Sequence, residues 1–549
     1  MKSSGTFVRI IRIAASAVLV AMLVLAVMSG CGSGSRFVFE ENEAGGVILK
    51  DYSGTEKNIT VPSEYKGKQV TEIGSFAFAH VRSIESITLP DSVTVIGEFA
   101  FAGCSRLKEV KLPDGLTSLG KGSFYDCRSI EKIDLGRITE LMDMTFKNCT
   151  ALKSVSGGAL TKIGSEAFYG CSSLDNYSIP DMVTSIGDGA FANCVGMKSV
   201  KLSSALVSVG EYCFKNISAD ITFAGTPSMT KIGARMFAGV SGGSITIPES
   251  IITFEEYAFA DCAANVTIKG IDGNIPNGLF SGYIGSEIVI PEGTVNIGDE
   301  AFAECVNLKQ LNIPSSVQSI GKRAFFGVTA PIVFAEGSQY KKVEGGTFEK
   351  YLGNNLRLPS SVESIGTESF KKCNASVEFE SGSQLKTIEA NGFYDWQGKS
   401  IVLPDSLTEL SEGCFSECLG LQEIAIPAGV TVIPDSAFSG CMNIKRLTIG
   451  DRVESIGAMA FCFCESMTEF NIPDSVVFIG ENAFNSCREL KTVYLGIGIV
   501  DIEDGAFGGC ESLSSIEYAG SKEQWQEIVD RCIDDLASDL SYATVTFKK

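Results

Sequence analysis

The residues whose types and spacing invite a chemical reading are the cysteines, 18 of them in 549 residues. Thirteen stand at 104, 127, 149, 171, 194, 262, 305, 373, 418, 441, 464, 487 and 510, each three residues after a phenylalanine. Zinc needs four convergent ligands, whereas this spacing offers one thiol per repeat. Seven further units carry Val81, Ile217, Val240, Tyr283, Val328, Tyr351 and Trp396 at the same place. Every alternative is apolar or aromatic, so the position is expected in the core, where a free cysteine behaves as a small hydrophobe. Stacked units could still be bridged geometrically, which leaves oxidation open. Cys462-Phe-Cys464 is not a redox Cys-x-x-Cys motif, and Cys213 and Cys414 directly precede repeat phenylalanines.

Other chemistry is sparse. His80 is the only histidine, which removes histidine-ligated metal sites and histidine-activated nucleophiles; it is expected at the surface. Paired carboxylates such as Asp299-Glu300 and Glu503-Asp504 could act as acid and base, but they recur at the polar start of a turn, where solvation or capping suffices. The repeated Ile-Gly pairs read as turn glycines, not as a phosphate loop. No catalytic residue, metal ligand or cofactor is assigned, and the chain reads as a non-enzyme. Ten cations occupy outward strand positions: Lys108, Lys111, Lys132, Lys153, Lys198, Lys201, Lys309, Lys445, Arg446 and Lys491. Stacked, they form a candidate binding face, a partly basic strip diluted by Glu109, Glu131, Glu423 and Glu469. Such a strip suits acidic or polyanionic ligands, while lysine on strand faces also discourages aggregation.

The elements that must hold these residues repeat. Phenylalanine recurs at 20 positions from Phe78 to Phe507, with every gap 21, 22 or 23 residues. That period marks a leucine-rich-repeat solenoid. In Leu107-Lys-Glu-Val110-Lys-Leu112-Pro113 the apolar residues alternate inward like a strand, and proline, lacking an N–H, ends the ladder. Eleven of the 15 prolines occupy this exit. Leu116-Thr-Ser-Leu119-Gly120 then forms a second extended segment, and Ala100, Phe101, Cys104 and Leu107 are spaced as one face of a short 3₁₀ or helical turn. The expected fold class is therefore an α/β repeat solenoid of about 20 units, coiled right-handed, with a parallel strand ladder.

The organisation expected along the chain is as follows. Residues 1–30 form an export signal, with Lys2, Arg9 and Arg12 before an uncharged run from Ile13 to Met28 that is too short to span a bilayer. Residues 31–36 hold Cys31 and a Gly/Ser spacer, 37–68 an N-terminal cap, 69–517 the repeats and 518–549 a C-terminal cap. In that last cap Trp525, Ile528, Val529 and Leu536 have helical spacing, and Ala543-Thr-Val-Thr-Phe547 is a final strand. Between about Ile217 and Glu417 the units Ala219–Phe223, Pro331–Phe334 and Ser376–Phe379 lack the leading leucine and the exit proline. This region is either a bend or groove, or repeat drift that packing tolerates.

Two resemblances follow. Met28-Ser29-Gly30-Cys31 resembles a bacterial lipobox, which implies lipidation of Cys31 and anchoring to the outer side of the cytoplasmic membrane. The pattern Cys-x-x-Leu-x-x-Val-x-Leu-Pro-x-x-Leu-x-x-Ile-Gly-x-x-Ala-Phe resembles the BspA-type leucine-rich repeat over about Val47 to Lys549. Ser92, Gly115 and Ser316 stand where ordinary leucine-rich repeats carry an asparagine ladder. The BspA-type resemblance implies adhesion to extracellular-matrix proteins or to other cells, through a protein or glycan ligand. The alternative is a non-catalytic envelope scaffold. Nucleic acid is not an expected partner at a net charge of −21. An apolar patch on the strand face would favour binding, and a uniformly polar face would favour the scaffold.

Overall fold

A computed structural model describes residues 36–175, 177–531 and 543–547. The export segment with Cys31, as well as Leu536 and Cys532, lies outside the described residues. The chain winds as a solenoid in which most units contribute two short strands, and both sets stack in parallel. The first ladder is built from the Val-x-Leu segments, for example Ser86–Thr88 on Glu109–Lys111 and Ser199–Leu202 on Asp220–Phe223. The second consists of two-residue strands ending at the isoleucine of Ile-Gly, such as Ser455–Ile456 between Val432–Ile433 and Phe478–Ile479. In both, inward residues are buried and their neighbours face water, the period-two pattern read from the sequence.

The third side is the phenylalanine turn, which has a backbone ladder of its own. Phe76, Phe78 and His80 donate their N–H groups to the carbonyls of Glu98, Ala100 and Ala102 in the next layer. Within the turn, i→i+3 bonds such as Ala79 N–H to Phe76 O have 3₁₀ character. They never lengthen into a helix, because the residues two before and two after each phenylalanine have positive φ in all 20 units. Left-handed backbone is costly for residues bearing a Cβ, yet 27 of these 40 positions are not glycine. The interlayer hydrogen bonds hold them there.

Inside the turn, the 20 phenylalanine rings form one unbroken column from Phe78 to Phe507. Neighbouring centroids lie 4.7–5.9 Å apart with planes within 25°, and Tyr52 closes the column's N-terminal end. The glycine of Ile-Gly differs from its expected role. Gly97, Gly120 and Gly480 do not have positive φ; a Cβ on any of them would stand 2.6 Å from a backbone nitrogen of the preceding layer. These glycines permit close layer contact rather than an unusual turn. Where asparagine is missing, serine links layers instead: Ser92 Oγ donates to Val70 O and Ser316 Oγ to Thr294 O, both at 2.7 Å.

The irregular middle units compensate in volume. Ala264, Ala330 and Ala375 replace the leading leucine, and in each following layer a large ring takes the cysteine position. Tyr283 and Tyr351 hydroxyls donate to the Ala264 and Ala330 carbonyls at 2.8 and 2.9 Å, and Trp396 Nε1 donates to Ala375 O at 2.9 Å. Gly285, Gly353 and Gly398, two residues on, lie so close to those rings that a Cβ would overlap them, at 1.8–2.3 Å. Aromatic-x-Gly is thus a packing unit in which small and large residues exchange places between layers.

At the ends, Phe37–Glu41 and Val47–Tyr52 form an antiparallel hairpin, and Val47–Tyr52 joins the second ladder. The one α-helix among the described residues, Lys522–Arg531, buries Trp525 and Ile528. Strand Thr544–Phe547 extends the first ladder beyond Ser515–Tyr518.

Candidate interaction faces

The cysteine position lies in the core, as its apolar alternatives imply. The 16 described cysteines are free, and all but Cys510 are buried. Eleven thiols of the column, Cys104 and Cys149 among them, donate to the carbonyl of the phenylalanine one layer earlier, at 3.0–3.4 Å. The thiol therefore adds a weak donor to a shape that valine also fills. Burial pushes Cys104, Cys149, Cys194, Cys262 and Cys373 up to about 12, away from the thiolate that nucleophilic or metal chemistry requires. No group of three or more potential metal ligands converges among the described residues.

The carboxylates before the turn act on backbone. Asp143, Asp188, Asp299 and Asp435 accept N–H groups from the next layer at 2.8–3.0 Å. The longer Glu255, Glu389 and Glu503 reach back to the previous layer at 2.9–3.1 Å. Each satisfies an otherwise unpaired donor, which is capping rather than acid–base chemistry. His80 is exposed at a left-handed position beside the turn.

All ten candidate cations are exposed on the outward side of the first ladder. The solenoid brings Lys108, Lys111, Lys132 and Lys153 together on three successive layers and sets Lys198 and Lys201 on one layer. Lys309, Lys491 and the pair Lys445–Arg446 stand apart along the array. Four of the ten pair with a glutamate one layer earlier: Lys108 with Glu85 at 3.3 Å, Lys153 with Glu131 at 2.9 Å, Lys309 with Glu287 at 2.9 Å, and Arg446 with Glu423. Lys57 also reaches Glu85, at 3.2 Å, and the two lysines hold that carboxyl below the usual range. Read along the solenoid, Lys57 is followed by the residue after each leading apolar position, Glu85, Lys108, Glu131, Lys153, Asp175, Lys198 and Asp220, with opposite signs on neighbouring layers throughout. The strip over these eight layers is an alternating ion ladder.

Sequence reading did not single out the apolar outward residues. Val289, Val333 and Val402 occupy strand-face positions in the middle region, and Val402 is 86 % exposed. Val402 borders a cleft of about 640 Å³ between Ser376–Phe379 and Ser400–Leu403. The first ladder is interrupted there: Ser376–Phe379 pairs with Asn355–Leu358 only, and Ser400 forms an isolated bridge to Glu423. On the opposite side the ring column is at its tightest, 4.7 and 4.9 Å on the two sides of Phe393. The layers thus splay open on the strand face and close on the spine. Three valines at outward parity in units that lack the leading leucine were a visible signal in the sequence.

The chain resembles several solved structures. One is a leucine-rich repeat protein from Bacteroides ovatus ATCC 8483, at 22% identity over 95% of this chain and 100% of that one, with a TM-score of 0.36. Another is the T. pallidum leucine-rich-repeat protein TpLRR, at 29% identity over 34% of this chain and 87% of that one, TM-score 0.31. A third is a leucine rich cell surface protein from Faecalibacterium prausnitzii A2-165, at 20% identity over 92% and 98%, TM-score 0.27. No curated protein matches the chain. The family model for the BspA type leucine-rich repeat region matches residues 71–159, 157–266, 273–352, 341–465 and 431–546. With the Phe column, the cysteine position and both strand ladders in place across that span, the chain belongs to the BspA-type leucine-rich-repeat family.

Proposed function

We propose that this chain is an exported, non-catalytic binding protein, held at the bacterial surface by a lipid on Cys31, that engages a protein or glycan ligand in adhesion. The repeat family supports a protein-binding role. The observation that carries the strand face as the site is Val402, an apolar side chain almost fully in solvent at the mouth of a cleft, where no packing demand places it. Val289 and Val333 extend the apolar character, and the ten cations flank it to either side along the array.

Binding of the full chain to matrix proteins and anionic glycans over a salt series tests this. Val402→Asp is expected to weaken a protein ligand at least tenfold, and reversal of Lys108, Lys111, Lys198 and Lys201 to glutamate to remove salt-sensitive binding. Binding indifferent to both sets moves the site off the strand face, and no binding at all supports the scaffold reading. Cys31→Ser is expected to release the protein from the membrane fraction; retention overturns the lipid anchor.

A further inference from the structure

A second surface lies on the phenylalanine-turn side, away from the strand face, and stands whether or not that face binds. Two residues past each phenylalanine, six consecutive layers carry Asp261, Gly282, Glu304, Gly327, Lys350 and Lys372. All six have positive φ, between 53° and 68°. Four of them bear long or charged side chains in the same conformation, so the backbone does not demand glycine at 282 and 327. Their missing side chains instead hollow a trough of about 530 Å³.

One wall of the trough is apolar. Two residues further on, Val306 and Leu352 line it and are about half exposed, as is Ile284 nearby; the same position is polar in Ser105, Arg128, Thr150 and Ser172 and apolar in Val195, Leu419 and Met442. The Phe326 ring adds to this wall, with Lys350 lying 5.0 Å from its centroid. The two ends differ in sign, Asp261 and Glu304 at one and Lys350 and Lys372 at the other. None of these four has an ion-pair partner among the described residues.

From this arrangement we infer that the trough is a docking groove for an extended segment of a protein partner, lying along the solenoid axis. The segment carries basic residues over Asp261 and Glu304, apolar residues against Val306, Phe326 and Leu352, and acidic residues over Lys350 and Lys372. Layer spacings of 5.2–5.9 Å across these units correspond to roughly eight residues of extended chain at ~3.3 Å each. Charge complementarity selects this occupant, because a uniformly anionic or cationic polymer is repelled at one end of the groove. The apolar wall supplies the buried centre that charge alone does not.

The test is selection of a random octapeptide display library on the full chain, followed by affinity measurements with the enriched peptides. Expected are sequences with Lys or Arg at one end, Asp or Glu at the other and large apolar residues between. The double change Lys350→Glu/Lys372→Glu is expected to weaken these peptides at least tenfold. Gly327→Asn is expected to do the same by filling the trough; asparagine tolerates the left-handed backbone, and its Cβ meets only Glu304 side-chain and backbone atoms at ordinary contact distance. Failure to enrich bipolar sequences, or enriched peptides indifferent to both variants, overturns the proposal. So does concentration-dependent self-association abolished by the same variants, which assigns the groove to a second copy of the chain.

Discussion

The cysteines show how much a single repeated position can be asked to do. Each is a filler of fixed volume and a weak donor to the layer before, and neither role needs the thiolate. Burial raises Cys104, Cys149, Cys194, Cys262 and Cys373 to about 12 from an ordinary 9.0. A group whose folded value lies above its unfolded value contributes stability that is complete below the unfolded value and is lost as pH rises toward the folded one. The chain is therefore expected to lose stability steeply between about pH 9 and 12. Replacing Cys149, Cys171 and Cys194 with valine is expected to flatten that loss, as measured by denaturant midpoints across the pH series. A thiol reagent at pH 8 is expected to leave the column cysteines other than the partly exposed Cys510 unlabelled until the protein unfolds. Tyr351→Phe, in a unit that substitutes a ring for the thiol, leaves the Ala330 carbonyl and the Ile332 N–H without their buried hydroxyl partner. The expected cost is about 1–3 kcal/mol, read from urea unfolding.

At the level of the repeat unit, strands, exit prolines and the phenylalanine column were legible because each rests on a period: two for the strands, 21–23 for the rings. The left-handed turn was not, since 19 of its 40 positions carry neither glycine, asparagine nor aspartate and give no local sign of positive φ. Only the interlayer hydrogen bonds of the assembled stack impose it. The middle units were legible as irregular but not as compensating. The exchange of Ala330 for Tyr351 joins residues 21 positions apart in neighbouring layers, and a periodic pattern has no term for such a trade. The ten cations were visible as a column, while of the four glutamates that pair with them one layer away, Glu131 and Glu423 were read only as dilution and Glu85 and Glu287 were not singled out. Gly353→Ala tests the exchange. Its Cβ would lie 2.1 Å from the Tyr351 hydroxyl, so a drop in melting temperature larger than that from Gly337→Ala, whose Cβ meets nothing within 4 Å, is expected despite the left-handed backbone at Gly337.

Across the whole molecule, stability is a sum over neighbouring layers, so the interrupted ladder at Ser400–Leu403 is a local weak point within a continuous core. Hydrogen exchange is expected to be faster there than at Asn355–Leu358, which pairs along its length with Ser376–Phe379. Equal protection would show that the spine alone, tightest at Phe393, holds those layers. The alternating ion ladder reaches further. A stack of identical layers could gain or lose any number of units and still fit its neighbours. With signs reversing from Lys57 to Asp220, removing one unit brings two lysines or two carboxylates onto adjacent layers, whereas removing two restores the order. The first eight layers thus possess a parity: in this part of the array length can change without electrostatic mismatch only by even numbers of repeats, so the pair of units, not the single repeat, is the module.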